Sequence, residues 1–296
     1  MWTPETQICA ICSSAKIRPW KVISGRRLAR CGACGLGFLD APPTPQEMAH
    51  LYDEPYFHSV CVETKSRAEH SAAGRIALVE RFKTPGALLD VGCGTGGFLA
   101  EAARRGWEVK GIEVSTWAAE EARRRLGVNV IAKSATEADF PEGTFDVVTF
   151  WDALEHLSQP GTVLRRCRRW LKPDGVLVIR IVNCGSYDAR VLGMRWSGWA
   201  VPYHLFHFSP DSLRAALRAA GFDVVHLDAG VSTVFFRFLI APIAFPPHHA
   251  KLIRAVEKCC PRLCERVRRF ADGDDWPGPL LRRIFPGPVM DIVARR

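Results

Sequence analysis

The sequence predicts an α/β protein whose main domain holds a seven-stranded, mostly parallel sheet with helices on both faces. Short apolar segments alternate with amphipathic helical segments from residue 87 onward, and a glycine-rich turn follows the first of them. Two appendages are expected, a small cysteine-rich ribbon at the N-terminus and a helical extension at the C-terminus. With 296 residues, the chain is long enough for one such domain and both appendages.

The expected strands and helices follow one another in the order typical of parallel sheets. The last helix has the clearest ends, because Ser209 suits the N-cap, Pro210 the first helical position and Gly221 the position past the end. The last two strands are separated by a few residues around Gly230, which predicts an antiparallel pair at the sheet edge. The expected strands are 87–91, 108–113, 128–132, 145–150, 176–181, 222–227 and 231–236, and the expected helices are 97–105, 116–126, 163–171 and 210–220.

Four regions follow from these patterns. Residues 1–40 are expected to form a zinc-binding knuckle, and residues 41–82 a proline-rich linker with cap helices. Residues 83–237 are expected to form the α/β domain. Residues 238–296 are expected to form a helical extension, because they contain two amphipathic stretches interrupted by prolines.

Composition favours a soluble globular protein. The chain is 48% hydrophobic and 24% charged, and no apolar run approaches the roughly 20 residues that span a bilayer. No secretory signal is recognised at the N-terminus, so a cytoplasmic location is expected. The net charge of +9 comes largely from arginines scattered on helices, and nucleic acid is therefore not the expected partner. The pattern leaves the oligomeric state open.

Four of the eleven cysteines form two matched pairs near the N-terminus, Cys9-x-x-Cys12 and Cys31-x-x-Cys34. Two such pairs can present four thiolates tetrahedrally to Zn²⁺, and residues 17–30 between them suit a short hairpin. Four protein ligands leave no open position for water, so a structural zinc ion is expected. A redox dithiol or four ordinary buried cysteines are the alternatives, and the paired spacing favours metal.

A glycine-rich turn marks the expected cofactor site. Gly92, Gly94 and Gly96 follow the first strand, where open α/β sheets bind ligands and where glycines let the backbone approach closely. Such a triplet alone is equally open to dinucleotides. However, Asp90 beside the turn would repel a pyrophosphate and suits a ligand with an ammonium and a sulfonium group. Glu113, at the end of the second strand, is placed to accept hydrogen bonds from ribose hydroxyls.

With these motifs the sequence resembles the class I S-adenosylmethionine-dependent methyltransferases, which have a Rossmann-like fold, over about residues 74–227. Leu-Asp-Val-Gly-Cys-Gly-Thr-Gly at 89–96 and Gly-Ile-Glu-Val-Ser at 111–115 match the family's first and second motifs. The segment 145–157 resembles the fourth-strand motif, and Leu-Lys-Pro-Asp-Gly-Val-Leu at 171–177 resembles the turn into the fifth strand, with Asp174 where glycine is usual. The segment Leu-Tyr-Asp-Glu-Pro-Tyr-Phe at 51–57, with the cysteine pairs, resembles bacterial members, many of them encoded among pathways for surface sugars or secondary metabolites.

The resemblance implies roles for individual residues. The three glycines would line the methionine and ribose, Asp90 would help to hold the amino group, and Glu113 would bind ribose. Cofactor contacts are also implied after the fourth strand and in the loop that normally caps adenine, which here lacks the usual aspartate in its first half. These further cofactor residues are Trp151, Asp152, Glu137 and Asp139.

Two clusters are candidates for the acceptor side, Asp152-x-x-Glu155-His156 after the fourth strand and His204-x-x-His207 before the last helix. A base is needed when the methyl acceptor is a hydroxyl group. The candidate catalytic residues are His156, His204, His207 and Asp152. Together they resemble the metal sites of polyprenyl-quinol O-methyltransferases and small-RNA 2′-O-methyltransferases, whereas a Glu-His pair at this place also occurs in metal-free relatives.

The sequence therefore predicts a cytoplasmic methyltransferase that uses S-adenosylmethionine and acts on a small hydroxylated metabolite or sugar-containing intermediate, most readily on oxygen. One alternative is an RNA methyltransferase with a zinc knuckle, although the aromatic residues are not interleaved with basic ones as single-strand binding requires. The other is a cofactor-binding scaffold without turnover whose ribbon docks a protein partner.

Overall fold

The computed structural model describes residues 5, 8–52, 65–230, 232 and 286–296. Within these ranges the chain forms two sheets, and none of the helices there is long and apolar enough to cross a membrane. The strands are β1 (Ile17–Ile23), β2 (Arg26–Cys31), β3 (Gly37–Leu39), β4 (Ala87–Val91), β5 (Glu108–Glu113), β6 (Asn129–Ala132), β7 (Phe145–Trp151), β8 (Leu171–Val182), β9 (Phe206–His207), β10 (Asp223–Asp228) and β11 (Val289–Arg295). The α-helices are α1 (Pro45–Leu51), α2 (Lys65–Glu80), α3 (Gly97–Arg104), α4 (Thr116–Leu126), α5 (Pro160–Trp170), α6 (Tyr187–Leu192) and α7 (Pro210–Ala219).

The larger sheet has seven strands in the order β10-β11-β8-β7-β4-β5-β6. Its strands β4 to β8 pair in parallel, and β11 runs antiparallel to both of its neighbours. The strand order reverses beside β4, so the carboxyl ends of β4, β5 and β7 meet where such sheets bind ligands. The predicted Rossmann-like fold, a seven-stranded and mostly parallel sheet, is confirmed.

Both faces of this sheet are covered by helices. On one face Leu88, Val147 and Val178 share an apolar core with α2, α3 and α4. On the opposite face the alternate residues Leu89 and Val148 share a second core with α5 and α7. Because side chains alternate along a strand, central strands buried on both faces read as continuous apolar runs. That pattern is what the sequence shows at 87–91 and 145–150.

The C-terminal segment corrects the predicted boundaries. Residues 289–295 were expected in a helical extension, but they form β11, which pairs with all of Val176–Val182 and separates β8 from β10. The strand expected at 231–236 lies outside the described residues apart from Ser232. The edge strand β10 therefore has β11 as its antiparallel partner. A strand whose partner lies more than one hundred residues away carries no local pairing signal, and the prolines before β11 made the segment resemble irregular chain.

Helix ends agree with the sequence where capping residues are present. Ser209 caps α7 by accepting a hydrogen bond from the backbone N–H of Ser212, and Pro210 occupies the first turn as predicted. Ser115 caps α4 in the same manner, directly after the acidic end of β5. These caps fix where the chain leaves the sheet, since each satisfies an N–H group that the helix itself cannot.

The smaller sheet joins the N-terminal ribbon to the main domain. The hairpin expected between the cysteine pairs forms as β1 and β2, followed by β3 and then by β9 from the distant segment 206–207. Phe38 pairs with Phe206, and the backbone N–H of Leu39 donates to the carbonyl of Leu205 at 2.8 Å. The N–H of Leu205 in turn donates to the carbonyl of Glu155 at 2.9 Å. The ribbon is thus connected by backbone hydrogen bonds to the turn after β7.

Candidate functional site

The glycine-rich turn connects β4 to α3 at the carboxyl end of the sheet. Gly92, Gly94 and Gly96 all have positive φ angles, between 54° and 79°. At Gly92 an added Cβ would lie 2.7 Å from the Cβ of Ala153, in the turn after β7. The glycine therefore allows two backbone segments to approach each other beside the expected ligand, a contact that any side chain at residue 92 would prevent.

Asp90 lies at the end of β4 with only 2% of its surface exposed. The hydroxyl group of Thr149 donates to its carboxylate at 2.7 Å. Burial raises the pKa of Asp90 to about 7, an effect that the Thr149 hydrogen bond and the Arg75 charge partly offset. Among the described residues no cation is bonded to this buried carboxyl group, so it is suited to receive one from a ligand.

Glu113 is also buried, and its two oxygens hold the backbone around it. One accepts from the N–H of Gly94 at 2.9 Å and the other from the N–H of Ser115 at 2.9 Å. Burial raises the pKa of Glu113, and these two hydrogen bonds act in the opposite direction. The carboxylate thus links β5 to the glycine turn and keeps further lone pairs for hydroxyl groups.

Glu137 and Asp139 lie in the turn after β6, and both are exposed. The carboxylate of Asp139 is 3.9 Å from a guanidinium nitrogen of Arg166. Neither side chain is fixed by a short hydrogen bond from the described residues. Their predicted contact with adenine stays a prediction.

Trp151 is the last residue of β7 and Asp152 follows it, and the two side chains face different surroundings. The Trp151 ring is buried against Phe98, and the guanidinium groups of Arg75 and Arg180 lie 5.3 and 5.7 Å from its centroid. Asp152 has a φ of 53°, unusual for a residue with a side chain, and accepts a hydrogen bond from Arg75 at 3.1 Å. Burial raises the pKa of Asp152.

A cluster of three possible ligands lies beside the end of β7. It consists of Glu155, His156 and His204, with one ligand atom of each within 4.8 Å of the others. Both oxygens of Glu155 are buried without a hydrogen-bond partner among the described residues. Burial raises the pKa of Glu155 to about 8 and lowers that of His156 to about 3. Both groups are therefore largely uncharged at neutral pH in the absence of a ligand.

The ring of His156 is oriented by two tyrosines. Its Nδ1 lies 3.0 Å from the carbonyl oxygen of Tyr203 and 2.6 Å from the hydroxyl oxygen of Tyr52. Because a carbonyl oxygen can only accept, Nδ1 carries the proton and donates it. The lone pair of His156 is then on Nε2, which is the nitrogen available to a ligand.

His204 and His207 have different surroundings, although their ring centroids are only 6.5 Å apart. His204 joins the cluster, with Nδ1 2.9 Å from the carbonyl oxygen of Gly198. His207 is 3% exposed in β9, and its ring packs edge-to-face on Trp199 and Trp20. Its Nε2 is buried without a partner among the described residues. This geometry favours a packing role for His207, and its expected contact with substrate stays a prediction.

The four N-terminal cysteines converge as two cross-connected pairs. The sulfur atoms of Cys9 and Cys34 are 3.6 Å apart, and so are those of Cys12 and Cys31. Four thiolates bound to one zinc ion at about 2.3 Å each would lie about 3.8 Å from one another, so the geometry fits a tetrahedral site.

Three contributors to the site, Arg75, Tyr52 and Asp291, were missed in the sequence. Arg75 was placed in a cap helix, where an arginine reads as a solvated residue, and no local pattern shows that it reaches Asp152. Tyr52 belongs to the segment 51–57, which resembles bacterial members of the family. The resemblance pointed to the segment but assigned no function to Tyr52. Asp291 binds Arg180 through two 2.7 Å hydrogen bonds. It was missed because the sequence did not predict β11 as a strand of the sheet.

Comparison with known proteins agrees with this geometry. A family model described as a methyltransferase domain matches residues 65–227, more than half of the chain. Ubiquinone biosynthesis O-methyltransferase of Neisseria meningitidis serogroup A is 39% identical over 152 residues, which cover 46% of this chain and 63% of that protein. The chain thus spans less than two thirds of the length of this relative.

Solved structures share the fold. A SAM-dependent methyltransferase from Archaeoglobus fulgidus superimposes with a TM-score of 0.58 at 22% identity, covering 82% of this chain and all of that one. The [4+2]-cyclase SpnF gives a TM-score of 0.54 at 24% identity, covering 86% of this chain and 97% of that one. At such identities the likeness concerns the fold, whereas the family model covers the glycine turn and the acidic end of β5 directly. The chain belongs to the class I S-adenosylmethionine-dependent methyltransferases.

Proposed function

We propose that this protein transfers the methyl group of S-adenosylmethionine to a hydroxyl oxygen of a small acceptor, either a hydroxylated metabolite or a sugar-containing intermediate. The observation that carries the proposal is the cluster of Glu155, His156 and His204 at the carboxyl end of β7. Transfer to oxygen needs a group that removes the hydroxyl proton, and a histidine beside a carboxyl group is suited to this task. The relative from Neisseria meningitidis is named as an O-methyltransferase, which supports oxygen as the acceptor atom.

The residues around the glycine turn are proposed to hold the cofactor. Asp90 faces its ammonium group, Glu113 its ribose hydroxyls, and the backbone of Gly92, Gly94 and Gly96 its methionine and ribose. The buried carboxyl group of Asp90 fits such a ligand, and the close approach of residue 92 to Ala153 keeps the turn in position beside it. Trp151 and Asp152 are proposed to complete the methionine side, and Glu137 or Asp139 the adenine side.

The chemistry requires alignment and removal of one proton. Bound S-adenosylmethionine supplies an electrophilic methyl group on a sulfonium. Nε2 of His156 takes the proton of the acceptor hydroxyl while the oxygen–carbon bond forms and the carbon–sulfur bond breaks. Glu155 lies in the same buried cluster, and once its own carboxyl proton has passed to solvent its carboxylate stabilises the imidazolium. The Tyr52 and Tyr203 contacts keep Nε2, rather than Nδ1, directed to the acceptor.

The same three residues also fit a divalent cation. They offer one carboxylate and two imidazole donors, and the oxygens of Glu155 have no other partner among the described residues. A cation held there would lower the pKa of the acceptor hydroxyl. His156 would then act as a ligand instead of a base, and chelation distinguishes the two roles.

We also propose that Cys9, Cys12, Cys31 and Cys34 bind one structural Zn²⁺. Its support is the sulfur geometry, together with the position of Cys9 and Cys31 in the core that the ribbon shares with α5 and α7. The ribbon faces its own methyltransferase domain, which argues against its use mainly as a dock for another protein. Arginines on α3, α4 and α5 pair with acidic residues such as Glu101, Glu121 and Asp139, which reduces the free positive charge that RNA binding needs.

The test combines a transfer assay with identification of the acceptor atom. Purified protein is incubated with ¹³C-methyl-labelled S-adenosylmethionine and a panel of catechols, phenols, glycosides and RNA, with and without a chelator. Methyl signals with the chemical shift of an O-methyl ether are expected in the small-molecule fraction. His156→Asn should lose transfer while cofactor binding, measured by calorimetry, is retained. Labelled RNA, an N-methyl or C-methyl product, or full activity of His156→Asn would each contradict the proposal.

A further inference from the structure

A charged cavity lies next to Asp152, the residue after β7, on the face of the sheet that carries α2. Its volume is about 360 Å³, within the usual range for small-molecule sites. Five of its lining residues are charged, namely Arg75, Asp152, Arg180, Asp228 and Asp291. The cavity therefore offers donors and acceptors at close spacing, and its chemistry differs from that of an apolar pocket.

The sheet register explains how these side chains come to face one cavity. Trp151 pairs with Arg180, Arg180 with Asp291, and Asp291 with Asp228, so the four residues form one row across four strands. Directly paired residues point to the same face. Trp151 packs in the core of α2 and α3, which places the whole row on that face. Arg75 approaches the row from α2, where its guanidinium group lies over Trp151.

Four of the charged residues at the cavity wall form two ion pairs, which retain bonding capacity. Arg180 donates two hydrogen bonds to Asp291, both at 2.7 Å, and Arg75 donates one to Asp152 at 3.1 Å. The Nε of Arg75 is buried and lacks a partner among the described residues. A carboxylate accepts about four hydrogen bonds and a guanidinium donates five, so positions on each group stay open to a ligand.

Stability does not account for these pairs. Replacing a partly buried ion pair with apolar residues of similar volume is often neutral or stabilising, because both charges lose hydration in the native state. Ion pairs at the wall of a cavity can instead serve to form hydrogen bonds with a bound ligand. Each of the two guanidiniums is already paired with a carboxylate, so the wall does not favour an anion. Val289 is the one apolar side chain among the described lining residues. A hydrocarbon chain there would leave the polar groups unpaired, which is unfavourable.

We propose that this cavity binds a polyhydroxylated part of the methyl acceptor, such as a sugar ring, and that Arg180 and Asp291 determine this specificity. Hydroxyl groups both donate and accept, so they match a wall on which carboxylates and guanidiniums alternate. The inference rests on the proposed small-molecule function and narrows it. It also separates this protein from enzymes whose acceptor carries a long isoprenoid chain.

Binding is tested directly, apart from turnover. Saturation-transfer difference NMR is recorded with a panel of methyl hexosides and methyl deoxyhexosides in the presence of S-adenosylhomocysteine, and with a geranyl-substituted catechol as competitor. The double variant Arg180→Met with Asp291→Leu removes the pair while keeping similar volume. Glu121→Ala with Arg124→Ala, an exposed pair on α4, serves as the matched control.

Wild-type protein and the control are expected to bind at least one glycoside, with no competition from the catechol. The double variant should keep its unfolding midpoint and its affinity for S-adenosylhomocysteine but weaken glycoside binding at least tenfold. Binding of no glycoside, equal binding by the double variant, or displacement by the catechol would overturn the inference. Glycoside binding without any O-methyl product would support the cavity and contradict the proposed O-methyl transfer, so the two failures are distinguishable.

Discussion

The carboxyl group of Asp90 should make the affinity for S-adenosylmethionine depend on pH below neutrality. Burial raises the pKa of Asp90 to about 7 in the ligand-free protein. An ammonium group placed beside it favours the ionised form and lowers that pKa again. Ligand binding below pH 7 should therefore release a proton from the protein, and affinity should increase as the pH rises.

The size of the effect follows from the pKa. A shift from 3.8 to about 7 corresponds to about 4 kcal/mol that opposes ionisation in the empty site. Asp90 is then about 3% ionised at pH 5.5 and about 50% ionised at pH 7, so the apparent Kd should fall about 16-fold between these values. The range stays below pH 7 because free α-amino groups begin to lose their proton near 7.7, which would affect the ligand instead.

Isothermal titration calorimetry in two buffers of different ionisation enthalpy measures both the affinity and the released protons. Release should be about 0.9 proton at pH 6 and about 0.5 at pH 7. Asp90→Asn should bind weakly with little pH dependence, and it retains Glu113 as an internal control for the other buried acid. Thr149→Val removes the 2.7 Å hydrogen bond to Asp90 and should move the transition to higher pH. A wild-type Kd that changes less than twofold, without buffer dependence, would refute this reasoning.

Three further predictions concern other parts of the site. Gly92→Ala should lower cofactor affinity at least tenfold in calorimetry, because its Cβ would lie 2.7 Å from that of Ala153; Gly106→Ala, with a similar positive φ but nothing within 4 Å, should lose stability without losing affinity. Tyr52→Phe removes the 2.6 Å contact with His156 and should reduce kcat about 3- to 12-fold with the cofactor Kd unchanged; an unchanged kcat would contradict the assigned orientation of the ring. Metal analysis should give one zinc ion per chain, and Cys12→Ser should lower both the zinc content and the unfolding midpoint. The control Cys184→Ala, which lies outside the cluster, should keep the zinc. Wild-type protein that lacks zinc and has an unchanged unfolding midpoint would contradict a structural zinc site.

The sequence was most informative where function depends on consecutive residues. The glycine turn is set by backbone conformation, and Asp90 and Glu113 are set by their positions at the ends of β4 and β5. The structure places these features together. Helix α7 was predictable for the same reason, since Ser209 and Pro210 act on their immediate neighbours. Local rules determine these features, so a single chain displays them.

The parts that escaped prediction depend on contacts between distant segments. Arg75, Asp152 and Asp291 meet only because α2, the turn after β7 and β11 pack together. His207 is expected to contact substrate from its spacing to His204, and that contact stays a prediction; the packing of its ring against Trp199, which follows from the pairing of β9 with β3, could not be predicted from spacing. Spacing in the sequence shows which residues are neighbours along the chain. The direction in which each side chain points depends on how the strands pair.

The position of β11 has a consequence for how the protein is made. This strand fits between β8 and β10, so the sheet cannot close until residue 295 has left the ribosome. Until then β8 exposes an unpaired edge of apolar residues, the kind of surface that recruits other chains or chaperones. Removal of residues 289–296 should therefore open the sheet between β8 and β10.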